Sequence, residues 1–265
     1  MSTTTVLQID HRFAEGFTGL DSLISPLVEL AMDSPSLIVG YGYPQSGLRK
    51  DMIPYFHVCG REEVRRPVRA LVVGGWCGTE RVTPYIVAKM LAVFEARLQL
   101  VKGLEVTAYP LANLDAYRTS EQSALRQRPE KLRCWENSDL SHIRVLENEL
   151  GRYEYDVVFQ LRESLYTRDT DVEAWIGGDS PVRGIVDGAF RRYASVAPDF
   201  RWRINPSRPI YRRSFTPIPG IERQPVEIAV GLSKAQDPAQ QSNEAISMVL
   251  SITHAMRQAR EEGVI

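Results

Sequence analysis

Apolar residues fall in short blocks divided by turn-forming residues, and the blocks alternate between strand-like and helix-like spacing. SLIVGY (36–41) and PYFHVC (54–59) read as short strands around the turn-rich GYPQSGLRKD. RALVVGG (69–75) is an uninterrupted apolar run closed by Gly74 and Gly75, as in a buried strand ending in a tight backbone approach. After it, Val87, Leu91, Phe94 and Leu98 recur at helical spacing, and Pro84 fits the first turn of that helix. A strand over 104–109 stops at Pro110. Residues 118–138 are polar and basic and predict a long surface loop. A helix over 141–150, strands at 155–161 and 172–176, and a helix over 182–195 follow. An arginine-rich loop spans 198–216, then comes the strand PVEIAVG (225–231). A final helix, capped by Ser242, carries Ile246, Val249, Leu250, Thr253 and Met256 on one face. Alternating β and α elements predict a three-layer α/β/α fold: a mixed, mostly parallel sheet with helices on both faces.

Composition narrows the function classes. The chain has 265 residues, 43 % hydrophobic and 25 % charged, with net charge −1. That length suits one α/β domain over 1–265, with 1–35 an N-terminal extension or helix packed on it. A near-neutral balance gives no global positive field for nucleic acid. No apolar stretch reaches the ~20 residues of a membrane span. Cys59, Cys77 and Cys134 form neither a CxxC nor a disulfide ladder, and MSTTTVLQIDHRF lacks a secretory pattern. A cytoplasmic protein is expected, and an oligomer is compatible with this composition.

The candidate chemistry sits at strand ends, where open α/β sheets build their sites. GGWCGTE delivers Cys77 and Glu80 to a turn after 69–75, close enough to reach one point if Gly78 keeps the turn tight. A strand–turn–helix with a buried Cys77 and a surface Glu80 is the plainer alternative. Arg162 and Glu163 end YDVVFQL, and Glu227 lies inside PVEIAVG. His57 reads as a packed or edge-exposed strand residue, and His11 and His254 as surface residues. The arginines of RWRINPSRPIYRR interleave with Trp202 and Tyr211 and suit either a polyanion or a solvated rim.

In order and spacing these segments resemble the zinc metallocarboxypeptidase superfamily, including its succinylglutamate desuccinylase and aspartoacylase branch. There an apolar strand ends in G-x-H-G-x-E, whose His and Glu bind zinc. GGWCGTE keeps the Glu as Glu80 and puts Cys77 in place of the His. SGLRKDMIPYFHV resembles the S-x-x-G-R segment before that loop, and YPLANLDAYR resembles P-x-x-N-P-D-G-Y, keeping Asn113 and Asp115. YDVVFQLRES resembles the strand ending in D-L-H-E-S, with Arg162 where the third zinc ligand stands and Glu163 after it. PVEIAVG resembles the late strand that supplies the general base, which is then Glu227. ENSDLSHIR corresponds to the D-L-N-R stretch that binds the substrate carboxylate, with Ser141 and His142 replacing Asn and Arg. The resemblance implies a phosphorylase/hydrolase-like, zinc carboxypeptidase-like fold. It also implies a cleft that takes a peptide C-terminus or an acylated amino acid.

Two departures change the chemistry. A thiolate at 77 can ligate zinc, but the Arg162 guanidinium carries donors only and stays protonated. It also repels a bound cation by about 4 kcal/mol per unit charge product at ~4 Å and an effective dielectric near ~20. The resemblance therefore implies a degenerate zinc site with no metal cofactor, and a pseudo-hydrolase with a binding or regulatory role. Arg162 would supply the positive charge that a metal otherwise brings to Glu80, Glu163 and Glu227. The alternative is a metal-dependent peptidase or amidohydrolase that holds zinc through Cys77, Glu80 and His142 and uses Glu227 as base. A depressed Cys77 thiol acting as nucleophile or redox group is a further option.

Overall fold

A computed structural model describes residues 20–42, 53–60, 66–76, 78, 80–114, 117, 141–164, 171–177, 182–196, 201–204, 223–233 and 237–265. In chain order they form α1 (Leu20–Asp33), β1 (Leu37–Gly42), β2 (Ile53–Cys59), β3 (Val68–Val73), α2 (Val82–Ala96) and β4 (Leu104–Tyr109). Then follow α3 (Ser141–Arg152), β5 (Val157–Ser164), β6 (Asp171–Gly177), α4 (Arg183–Val196), β7 (Arg201–Ile204), β8 (Val226–Ser233) and α5 (Pro238–Glu261). The eight strands form one sheet in the order β1-β2-β4-β3-β5-β8-β6-β7. Its centre, β4-β3-β5-β8, is parallel, while β2 and β6 pair antiparallel to β4 and β8.

Strand periodicity sorts the core into two layers. Val68, Ala70 and Val72 of β3 join Val157, Phe159 and Leu161 of β5 in a cluster with α1, α2, α4 and α5. Leu71 and Val73 of β3 point to the other face and join Val158 and the α3 residues Ile143, Val145, Leu146 and Leu150. Helices on both faces of a mixed sheet are the three-layer arrangement that the β/α alternation predicts. β3 is buried along its length except at Arg69, as befits a parallel strand covered on both sides. α2 buries residues around most of its circumference, from Thr83 to Phe94, because it lies between the sheet and α1 and α5.

Several boundaries differ from the sequence expectations. Leu98 is not part of α2, which ends at Ala96; Arg97 leaves helical geometry and Leu98–Val101 forms a 3-10 turn. Ser242 is not the cap of α5. Asp237 takes that place, its carboxylate accepting the Gln240 N–H at 3.1 Å, and Pro238 occupies the first turn, where a missing N–H costs nothing. Ser242 lies inside the helix and donates back to the Pro238 carbonyl at 2.6 Å. The stretch 198–216 contains β7 at Arg201–Ile204, which pairs with β6. His254 is half-buried against the Leu100 carbonyl at 2.8 Å rather than a surface residue. The polar stretch 118–138 lies outside the described residues. Among the described residues, no helix is long and apolar enough to cross a membrane.

Candidate functional site

The turn after β3 is fixed by backbone contacts that need glycine. Gly74 N–H donates to the Tyr109 carbonyl, and the Gly74 and Gly75 carbonyls accept from Ala112 and Asn113 N–H. The ends of β3 and β4 are thereby tied together. Gly75 has φ +62°, and a Cβ there would lie 2.6 Å from the Pro110 carbonyl oxygen. Only glycine adopts this conformation without strain and leaves room for the crossing chain.

Glu80 closes that turn. Its Oε2 accepts from the Trp76 N–H at 2.9 Å and from the Thr83 hydroxyl at 3.1 Å, and Thr83 Oγ1 in turn accepts from Gly75 N–H. Glu80 is 5 % exposed, so the plainer expectation of a surface carboxylate is overturned. The local cause is a carboxylate three residues before Thr83, which meets the N–H groups of the same loop at the start of α2. Asn113 is half-buried, its backbone held to Gly75. Cys77 and Asp115 lie outside the described residues, as does the His142 side chain in the first turn of α3.

β5 carries the rest of the site on alternate residues. Gln160 and Arg162 share the α3 side of the sheet and are 1 % and 2 % exposed. The Arg162 guanidinium lies over the Trp76 ring, 4.4 Å from its centroid, and donates to Gln160 Oε1 at 3.1 Å. Gln160 turns its amide nitrogen to Glu227 Oε1, to which it donates. The amide therefore shows its oxygen to the cation and its nitrogen to the anion, forming a line from Trp76 through Arg162 and Gln160 to Glu227. A guanidinium stacked on a desolvated indole gains about 2 kcal/mol or more.

Two further expected site residues make other contacts. Glu163 follows Arg162 and so faces the opposite side of the sheet. Its Oε1 accepts from the Arg81 and Val82 N–H groups (2.6 Å for Val82), a carboxylate set on the positive end of α2. It closes the first turn of α2. Glu227 pairs with Val158, four residues short of Arg162 along β5, and is fully buried. A general base must reach a substrate proton or a water, and this carboxylate is packed against Gln160 instead.

Burial dominates the electrostatics of Glu80, pushing its carboxyl up to about 7, with the nearby Arg162 cation pulling it down and Glu163 pushing it up. An acid whose folded pKa exceeds its unfolded value binds protons more tightly when folded. Its ionisation therefore costs stability as pH rises from about 4.5 to about 7, and above that the loss is complete. The gap corresponds to about 3 kcal/mol. Glu80→Gln keeps an oxygen for Trp76 N–H and removes the charge. The variant is expected to be about 2 kcal/mol more stable than the parent at pH 8 and indistinguishable from it at pH 4. Urea denaturation at both pH values checks this; equal stabilities at pH 8 would refute the burial argument.

No protein-family model matches the sequence, and no curated protein matches it to significance. Solved structures do match. A metallo-carboxypeptidase from Burkholderia cenocepacia superposes with TM-score 0.69 at 11% identity, over 93% of this chain and 71% of that one. This is the metallocarboxypeptidase fold. The bovine thrombin-activatable fibrinolysis inhibitor, solved with a tick carboxypeptidase inhibitor, gives 0.66 at 11% identity over 93% and 99% of the two chains. A Pseudomonas aeruginosa metallo-carboxypeptidase, solved with (2-guanidinoethylmercapto)succinic acid, gives 0.60 at 12% identity over 92% and 70%.

Within that fold, the strand ends expected from the sequence do converge: Glu80, Asn113 and Arg162 all lie at the carboxyl end of the parallel block. Trp76, Thr83 and Gln160 complete the site and carry no motif. Gln160 did leave a signal, a polar residue two before Arg162 in the otherwise apolar VVFQL, hence on the same face.

Proposed function

We propose that this chain is a non-catalytic, carboxypeptidase-like protein with a binding or regulatory role. The observation that carries the proposal is Arg162, a buried guanidinium stacked on Trp76 at the strand end where the fold's resemblance expects a third zinc ligand. Guanidinium nitrogens carry no lone pair for a metal, and their charge repels one. These residues do not fit a zinc ion held in the superfamily's manner, and no step of chemistry is routed through one. The burial of Glu227, the family's general-base position, adds support. The cation serves instead as the counter-charge of Glu80, which it holds closer to ionisation.

The inherited cleft then takes a peptide C-terminus or an acylated amino acid without cleaving it. Incubating zinc-soaked protein with a panel of peptides and N-acyl amino acids, with products read by mass spectrometry, tests this. No turnover above a blank is expected, with or without chelator. Zinc-dependent hydrolysis abolished by Cys77→Ser would instead establish the metal-dependent amidohydrolase built on Cys77, Glu80 and His142.

A further inference from the structure

A second set of reactive side chains lies at the amino end of β4, away from the strand ends just described. His57 and Cys59 are two apart on β2 and so share the α3 side of the sheet. Cys59 Sγ is 2.9 Å from His57 Nε2, and His57 Nδ1 is 3.1 Å from Thr107 Oγ1, its register partner on β4. Nearby on the same face, the Tyr155 hydroxyl donates to the Glu149 carboxylate on α3 at 2.5 Å. In the tautomer whose Nδ1–H donates to the Thr107 hydroxyl, the Nε2 lone pair is left for the Cys59 S–H. Thiol, imidazole and hydroxyl therefore form one line: nucleophile, base and orienting group.

We propose that Cys59 is a base-assisted thiol that exchanges with small disulfides, making it a site of reversible S-thiolation. His57 Nε2 takes the thiol proton as Sγ attacks one sulfur of the incoming disulfide. A new S–S bond forms to Cys59, the old one breaks, and the departing thiolate collects the proton from the imidazolium. No other oxidant is needed, because the disulfide supplies the oxidising equivalent. Cys59 and His57 are half-buried, so a small molecule can reach them while the backbone is held by Cys59 N–H to the Ser36 carbonyl. Glu105 and Arg69, paired at 2.8 Å on β4 and β3, are the charged groups on the adjoining strands. Burial lowers the His57 pKa and, with Glu105, raises that of Cys59. Near pH 7 both are thus neutral, and reactivity must come from proton transfer within the pair rather than from a standing thiolate.

The test treats the full chain with 2,2′-dithiodipyridine, follows released thione by absorbance and assigns the modified cysteine by peptide mass spectrometry. At pH 7, Cys59 is expected to react faster by about tenfold or more than in His57→Gln. It is also expected to outpace a short peptide carrying the β2 sequence. Its rate should rise less steeply than the peptide's between about pH 7 and 8, since burial favours the neutral imidazole. Thr107→Val should slow the reaction and steepen its pH profile, and Thr107→Ser should restore both, which a purely packing role for Thr107 would not do. A His57→Gln rate within about twofold of the parent, or a Cys59 no faster than the peptide, overturns the proposal.

Discussion

Arg162→Ala is expected to cost about 3–5 kcal/mol of unfolding free energy, the range for removing one partner of a buried charge cluster. The side chain is 2 % exposed, so its loss leaves a cavity under the Trp76 ring and an unpaired Gln160 oxygen. Glu80 also loses the cation that favours its ionised form, and Glu227 loses the one at the far end of the Gln160 amide. Because Arg162 holds the Glu80 pKa down, its removal raises that value further. The destabilisation should therefore be larger at pH 8 than at pH 5. Pairing Arg162→Ala with Glu227→Gln should cost less than the sum of the single changes, as expected for groups in one network. Guanidinium chloride unfolding measures all of these. A loss below about 1 kcal/mol would mean that Arg162 merely fills space.

Gly75→Ala should cost about 3 kcal/mol, from two separate terms. A left-handed backbone at φ +62° costs a residue with a Cβ about 1–2 kcal/mol. The new methyl also meets the Pro110 oxygen at 2.6 Å and the Leu111 Cα at 2.9 Å, both backbone atoms that cannot swing aside. Gly151 in α3 is the control, since a Cβ there meets nothing within 4 Å. Gly151→Ala is expected to be neutral or to stabilise by up to about 1 kcal/mol. Thermal melts of the two variants should move in opposite directions. Equal shifts would remove the crossing of the β3 and β4 ends as the reason for glycine at 75.

The strand blocks were legible because they are apolar throughout: β4 begins and ends where the sequence places it, and β3 differs only at its ends. The same glycine pair that ended the run also located the site. The helix ends were harder to read. Leu98 keeps the helical spacing of Val87, Leu91 and Phe94, yet the chain has already turned at Arg97. Ser242 has the right chemistry for a cap, but Asp237 with Pro238 next to it has the same chemistry one turn earlier. At the site, the convergence of Glu80 and Arg162 followed from strand order. The separation of Glu163 from Arg162 was also within reach, since neighbours on a strand face opposite ways. The depth of Glu227 was not, because it depends on the register Val158↔Glu227 between strands far apart in sequence. The pairing of Cys59 with His57 likewise needed the cross-strand contact with Thr107 to become more than two neighbours on a strand.

Whether the Arg162 guanidinium stands in the place of a metal is read out by elemental analysis of protein purified without chelator or nickel affinity, repeated after soaking in zinc. Protein without stoichiometric zinc in both samples, and with unchanged melting temperature, is the expected result. Near-stoichiometric zinc that disappears in Cys77→Ser would contradict it and return the chain to the hydrolases.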